Sequence, residues 1–267
     1  MAVFHLSMLA LIQGLTEFLP VSSSGHLVLV PHLTGLPDHG QVIDVAVHVG
    51  TLGAVMVYFR SDVFRVANGF LHVLSGDRSS EDARLYLGLA VATVPVVIVG
   101  LLFRMTGIAD MLRSVAVVAW ATIVFAVVLF VCDRAAPRRE ETGNWTIRQA
   151  WILGLWQVLA LIPGTSRSGI TISGARWLGY DRKSSVRFAM LMSIPVIFAS
   201  GTLLGVEVVA SADAGAARDG AIAALLSFVS GLCALAFMMR LLRHTSFTPY
   251  VIYRICLGGL LLWIAYT

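Results

Sequence analysis

The chain has 267 residues, of which 58% are hydrophobic and only 13% charged, with a formal net charge of +4. Soluble domains carry about 25% charged residues, so this composition, with a mean hydropathy of +0.85, excludes a water-facing surface and points to a bilayer. The positive charge does not mark a nucleic-acid binder, because the arginines sit in short connections between apolar runs and no basic patch is interleaved with aromatics.

The first stretch, Val3 to Leu33, is apolar but broken by GLTEFLPVSSSGH from Gly14 to His26. Its N-terminal part, Met1 to Ile12, has no charged leader region or cleavage site and is read as mature protein. A span follows from Val42 to Phe59, then a basic loop from Arg60 to Arg84. Two spans come next, Leu85 to Phe103 and Ser114 to Cys132, and a second basic loop from Asp133 to Arg148. A second interrupted stretch, Ile147 to Leu178, is broken by IPGTSRSG from Ile162 to Gly169. The connection Arg176 to Arg187 leads to three more spans, Val186 to Ala210, Ala221 to Leu242 and Tyr250 to Tyr266. A spanning helix needs about 20 mostly apolar residues, and the arms of the two interrupted stretches are too short for that. Irregular backbone at membrane depth is tolerated only inside protein or beside a water-filled cavity, so both stretches are expected to be re-entrant helical hairpins.

The expected fold is all-α: a polytopic membrane protein in one domain, residues 1–267, with about six transmembrane helices and two re-entrant hairpins. Gln13-Gly-Leu-Thr-Glu-Phe-Leu-Pro-Val-Ser-Ser-Ser-Gly lies over Gln157-Val-Leu-Ala-Leu-Ile-Pro-Gly-Thr-Ser-Arg-Ser-Gly with small adjustments. Each hairpin is followed by three spans. A hairpin returns to the side it entered from and three spans carry the chain across, so the second hairpin enters from the opposite face. The order predicts an inverted-topology repeat, about 1–132 and 145–267, with both tips near the midplane. Of the 19 Lys and Arg residues, 14 fall on the face opposite the first hairpin's mouth and three (Arg104, Arg113, Arg218) on the same face. The positive-inside rule then makes the first hairpin open outward and puts both termini outside. The three cysteines, Cys132, Cys233 and Cys256, lie in apolar stretches and are expected to be small core residues rather than a disulfide framework. Gly201, Gly205, Gly258 and Gly259 offer faces for close helix packing, a homodimer included.

Ionisable groups inside a membrane are costly and mark function. The first hairpin holds Glu17, the hydroxyls of Ser22, Ser23 and Ser24, then Gly25 and His26. Pro20 breaks the first arm, so Ser22 to Gly25 form the first turn of the second, whose free N–H groups suit an anion. The second hairpin repeats the device with Pro163-Gly164-Thr165-Ser166 before Arg167, whose forked, permanent charge suits phosphate. Two such tips meeting would make a site for a phosphate or diphosphate, with Gln13, Ser22, Ser24, Gly25, Thr165, Ser166, Ser168 and Gly169 as candidate substrate contacts. Asp44 and His48, at i and i+4, share a helix face; a structural pair with a neighbouring helix is the main expectation, a supporting or metal role the lesser one. Arg254 is expected to snorkel to the interface or to pair with a buried acid.

The paired motifs, Gln13 to His26 and Pro163-Gly-Thr-Ser-Arg-Ser-Gly, resemble the two signatures of the bacterial undecaprenyl pyrophosphate phosphatases, the bacitracin-resistance proteins of the BacA or UppP family. The likeness follows segment order along essentially the whole chain. It implies conversion of undecaprenyl pyrophosphate, a C55 lipid carrier, to the monophosphate at the outer face of the cytoplasmic (inner) membrane. That step recycles the carrier for cell-wall synthesis and confers resistance to bacitracin, which sequesters the pyrophosphate. It also implies a divalent cation, Mg²⁺ or Ca²⁺, for which Glu17 is the candidate ligand if metal-bound water is the attacking group. Glu17 matches the second acidic position of the family's (E/Q)xxxE motif, and Gln13 is the uncharged variant of the first. The Ser22–Ser24 run, His26 and Arg167 match the family's serine stretch, histidine and arginine. His48 stands where many relatives carry Gln.

On this reading Arg167 and hairpin N–H groups hold the diphosphate. Ser23 attacks the terminal phosphorus, with Glu17 or His26 as base and then acid. Attack by metal-bound water is the competing route. A secondary transporter or lipid flippase is the rival class, because inverted repeats with broken midplane helices also serve transport. Transport needs no nucleophile, and the serine, glutamate, histidine and arginine together favour hydrolysis.

Overall fold

The computed structural model describes residues 3–35, 40–135, 145–211, 214–242 and 244–267. These residues form helices and connections, with no strand among them. In chain order the helices are α1 Val3–Phe18, α2 Ser23–Thr34, α3 Gly40–Tyr58, α4 Arg60–Leu74, α5 Glu81–Thr106, α6 Ile108–Met111, α7 Val115–Ala135, α8 Ile147–Val158, α9 Arg167–Trp177, α10 Arg182–Ser211, α11 Ala214–Leu241 and α12 Thr248–Tyr266. A short 3₁₀ turn, Leu159–Leu161, extends α8.

Five helices are long and apolar enough to cross a membrane by themselves, and α3 with α4 makes a sixth candidate bent by 90°. The expected count of about six therefore stands, and α1–α2 and α8–α9 are the two hairpins of short arms. Local chemistry sets their boundaries. Thr146 and Gln149 cap the start of α8 reciprocally. Ser80 accepts from the Ala83 N–H at the start of α5, and Gly107 ends that helix in the left-handed region.

One stretch departs from expectation. Residues 60–74 are the helix α4, not loop. Arg65 turns inward to Asp82, at 2.8 Å, and to Glu81, while Gly69 packs on the Asp82 backbone. Phe64, Leu71 and Leu74, at helical spacing, are exposed. A search for 20-residue apolar windows passes over such a helix, because its charged residues dilute the hydropathy that its periodicity organises. The cysteines also need correcting: only Cys132 is buried, whereas Cys233 and Cys256 are exposed on apolar helices. Of the four glycines, Gly258 packs tightly, a Cβ there falling 2.4 Å from Ile123. Gly201 and Gly259 face open space, and Gly205 lies outside the residues whose surroundings are described.

The basic face is tied by buried ion pairs. Asp133, 5% exposed at the end of α7, accepts from Arg176 Nε at 3.0 Å and from Arg182 Nε and Nη2 at 2.9 Å. Arg187 of α10 likewise holds Asp62 of α4. Removing one partner of a buried pair strands the other charge, at a cost of about 3 kcal/mol. Asp133→Ala should therefore lower the thermal midpoint of detergent-purified protein by several degrees, followed by intrinsic fluorescence. An unchanged midpoint would show that the cluster adds nothing to stability.

Candidate active site

The two hairpins repeat in detail at a fixed offset. Ser22 and Ser166 carry φ of 73° and 67°, the two non-glycine residues with positive φ among those described. Such a conformation costs on the order of 1–3 kcal/mol and persists where surrounding structure fixes it. Each serine caps the arm that follows: Ser22 Oγ accepts from Gly25 N at 3.3 Å, and Ser166 Oγ accepts from Gly169 N at 3.2 Å. Each also meets the second hydroxyl along, Ser24 at 3.2 Å and Ser168 at 3.1 Å. Ser23 and Arg167 are then equivalent residues, the first of α2 and of α9, where backbone N–H groups lack helical acceptors.

Both equivalents converge on one carboxylate. Ser23 Oγ donates to Glu17 Oε2 at 3.1 Å, and Arg167 Nη2 donates to Glu17 Oε1 at 2.8 Å. Glu17 has no counterpart in the second hairpin, where Leu161 lies at the matching place six residues before Arg167. Gln13, fully buried one turn before Glu17, donates to Glu17 Oε2 at 2.9 Å and meets His48 Nε2 at 3.2 Å. His48 Nδ1 lies 2.7 Å from the Asp44 carbonyl, so Nδ1 carries the proton and Nε2 accepts from Gln13. With both amide protons of Gln13 engaged, its Oε1 is buried without a partner, and so is Arg167 Nη1.

The tips lock to each other. The Gly164 N–H donates to Ser24 Oγ at 2.9 Å, and Ser168 Oγ donates to the Leu19 carbonyl at 3.1 Å. Gly164 has φ of 95° and sits where a Cβ would fall 2.2 Å from the Val118 carbonyl, so α7 presses directly on the second tip. Thr165 is fully buried with its hydroxyl unpartnered. Arg254 is fully buried as well. Its Nη2 donates to the carbonyls of Gly164 at 3.0 Å and Thr165 at 2.8 Å. The expected snorkelling or acid pairing is thus replaced: Arg254 is buried about two turns into α12, and its acceptors are backbone carbonyls.

A cavity of about 280 Å³ opens beside this network, lined by Gln13, Ser23, Ser24, Asp44, His48 and Ser200. The structure thus gathers Gln13, Glu17, Ser23 and Arg167, adds Asp44 and His48 from α3, and uses Ser22, Ser24, Ser166 and Ser168 to shape and join the tips. His26 is not brought to Ser23. Its Nδ1 donates to the Ser22 carbonyl at 2.8 Å, and its Nε2 accepts from the Tyr253 hydroxyl at 2.6 Å, with the two rings stacked. Tyr253 went unnoticed in the sequence, where only its place beside Arg254 hints at a role. His48, expected mainly to pair with a neighbouring helix, does so through Gln13 of α1 and thereby reaches the site.

The donor set bears on the implied cation. No group of three His, Cys, Asp or Glu among the described residues encloses a metal, so a resident protein cage does not fit. Mg²⁺ ordinarily takes one or two carboxylates and leaves its other positions to water and substrate phosphates. Glu17, Asp44 and the unpartnered Gln13 Oε1 are oxygen donors of the kind that such an ion takes.

Comparison with known proteins agrees in direction. The family described as "Bacitracin resistance protein BacA" matches residues 6–260. Proteins named undecaprenyl-diphosphatase from Ruegeria pomeroyi and Dinoroseobacter shibae are 59% and 58% identical over 267 residues, covering all of each chain. One of the same name from Hahella chejuensis is 44% identical over 265 residues, 99% of each chain.

Proposed function

The chain belongs to the bacitracin resistance protein BacA family, and we propose that it removes the terminal phosphate of undecaprenyl diphosphate by way of Ser23, at the outer face of the cytoplasmic membrane. The protein is a multi-pass membrane phosphatase, and bacitracin resistance and carrier recycling for the cell wall follow from that activity. The convergence of Ser23 and Arg167 on Glu17 carries the reading. A hydroxyl, a carboxylate to take its proton and a guanidinium for phosphate oxygens stand within hydrogen-bond reach of one another.

Ser23 Oγ bonds to the terminal phosphorus as its proton passes to Glu17 Oε2. The bridging P–O bond breaks, and the lipid monophosphate leaves with the electron pair. Water then attacks the phosphoserine, releasing inorganic phosphate and returning the proton to Ser23. Arg167 Nη1, buried with no protein partner, is the group left to meet a phosphoryl oxygen while Nη2 holds Glu17 in place. Gln13 and His48 orient Glu17 from its other side. His26, engaged with Tyr253, steadies α2 against α12, which leaves Glu17 as the base. A divalent cation, Mg²⁺ or Ca²⁺, would be held by Glu17 and Gln13 oxygens with the diphosphate and would neutralise charge there.

The outer-face assignment rests on the 14 basic residues at the opposite face. The cavity lies along the first half of α3 and the second half of α10, away from those loops. The start of α1 and the end of α12 then lie outside. Purified protein should release phosphate from C55 diphosphate with Mg²⁺ present, and chelator should reduce the rate. Glu17→Gln, which removes the proton acceptor, should cost on the order of 10²–10⁴-fold in kcat. A wild type that releases no phosphate with cation present overturns the reading.

A further inference from the structure

The two repeats pair their helices unequally. By element order α3 corresponds to α10 and α11 to α5, so the α3–α11 interface and the α10–α5 interface are symmetry mates. The first is closed. A Cβ on Gly50 would fall 2.1 Å from the Ala224 carbonyl, and Ser227 Oγ donates to the Val47 carbonyl at 2.9 Å. The second gapes. Between α5 and α10 lies an apolar cavity of about 530 Å³, walled by Leu89, Ala90, Val97, Ile194, Pro195 and Phe198. A further apolar cavity of about 260 Å³ continues from Val97 past Gly100 and Leu161 to Ser200. Ser200 also lines the polar cavity beside Ser23. Val97 lines both apolar cavities and Ser200 lines both the smaller apolar cavity and the polar one, so the three follow one another from Ser23, between α5 and α10, to Val63 and Val66 of α4.

We propose that the gap between α5 and α10 is the binding groove for the substrate's polyprenyl chain. The inference rests on the phosphatase reading and adds the place of the tail. Three observations single out this occupant. The apolar cavity shares the wall residue Ser200 with the polar cavity beside Ser23, so it is the apolar space adjoining the site that a chain attached to the diphosphate meets. Its walls between α5 and α10 are mostly apolar, with Thr93 within the wider part and Arg104 and Ser200 at the narrower one. From Arg104 back to Tyr86 it follows 18 residues of α5, about 27 Å at 1.5 Å per residue, close to the hydrocarbon thickness of about 30 Å. A tail lying there is parallel to the bilayer chains and shielded from them on two sides. Pro195, which cannot donate the helical bond to the Leu191 carbonyl, stands in the wall of the wider part.

Filling the deep part tests this. Ala90→Trp and Ile194→Trp, from opposite walls, are compared with the wild type and with Val127→Trp on the exposed face of α7. Each protein is assayed on C55 diphosphate and on farnesyl diphosphate, whose C15 chain is too short to need the deep groove. We expect the two groove variants to raise KM for the C55 lipid about tenfold and to keep kcat/KM for farnesyl diphosphate within twofold. Val127→Trp should leave both unchanged. Retained farnesyl turnover shows that the variants are folded. Equal losses on both lipids, or undiminished C55 turnover, would overturn the groove assignment, the second outcome meaning that bulk lipid fills it. A wild type inert on both lipids would instead overturn the phosphatase reading on which it rests.

Discussion

Ser23→Ala should reduce phosphate release to background, a loss on the order of 10⁴-fold or more in kcat, as expected when the nucleophile of a covalent mechanism is removed. The structure makes this a clean substitution. Ser23 is the first residue of α2, and its hydroxyl has one protein partner, Glu17 Oε2 at 3.1 Å. The cap of the helix comes from Ser22 and the link to the second hairpin from Ser24, so neither is disturbed. The ion pair of Arg167 with Glu17 also remains. Substrate should therefore still bind, with KM within a few-fold of wild type, while turnover collapses. Wild type quenched in acid after mixing with terminally ³²P-labelled lipid should carry label on the protein, and Ser23→Ala should carry none. Near-normal turnover by Ser23→Ala would remove the serine from the chemistry and leave attack by water. Ser24→Ala is the informative contrast: it removes the acceptor of the Gly164 N–H and should act through the fit of the two tips.

Much of this was legible in the sequence because it is local. The hairpins announced themselves as Pro, Gly and Ser in the middle of apolar stretches, and α2 and α9 begin after Ser22 and Ser166 as the N-cap chemistry requires. The serine, the glutamate and the arginine were found by the cost of placing them in a bilayer. What escaped depends on packing between distant segments. The equivalence of Ser23 and Arg167 shows only when the tips face each other. The Tyr253 hydroxyl reaches His26 across 227 residues, and the Arg254 guanidinium reaches Gly164 across 90. Helix α4 escaped for a different reason, since an amphipathic helix carries a weak hydropathy signal and a strong periodic one. Cys233 and Cys256 misled because in a bilayer an apolar residue is as well placed facing lipid as facing the core.

The same inverted repeat explains how one fold supplies two different groups to one reaction. Ser23 and Arg167 occupy equivalent positions with equivalent caps, so the backbone delivers both side chains to the same place from two different hairpins. On the proposed mechanism, divergence at that position gives a nucleophile from one half and an anion clamp from the other. Glu17, present in one half only, breaks the symmetry and binds both products of that divergence.

Arg254→Met should be the most damaging substitution outside the reacting groups. Arg254 is a positioning residue: it touches the second tip and not Ser23 or Glu17. Its Nη2 satisfies the Thr165 carbonyl and shares the Gly164 carbonyl with Thr122 Oγ1. Methionine fills much of the volume but donates nothing, so the Thr165 carbonyl is left buried without this charged donor. Hydrogen bonds to charged groups are worth about 1.5–3 kcal/mol, and the thermal midpoint should fall accordingly. The larger effect should be on turnover. Gly164 to Ser166 aim Arg167, and a shift of about 1 Å in a catalytic group costs on the order of 10²-fold. Assayed at a temperature where near-ultraviolet circular dichroism shows it folded, Arg254→Met should have kcat lowered about 10²-fold. Arg254→Lys should recover part of this, because an ammonium keeps a charged donor for the two carbonyls that Nη2 alone meets but not the reach and planar packing of the guanidinium. Folded Arg254→Met with wild-type kcat would confine Arg254 to stability and free the aim of Arg167 from α12.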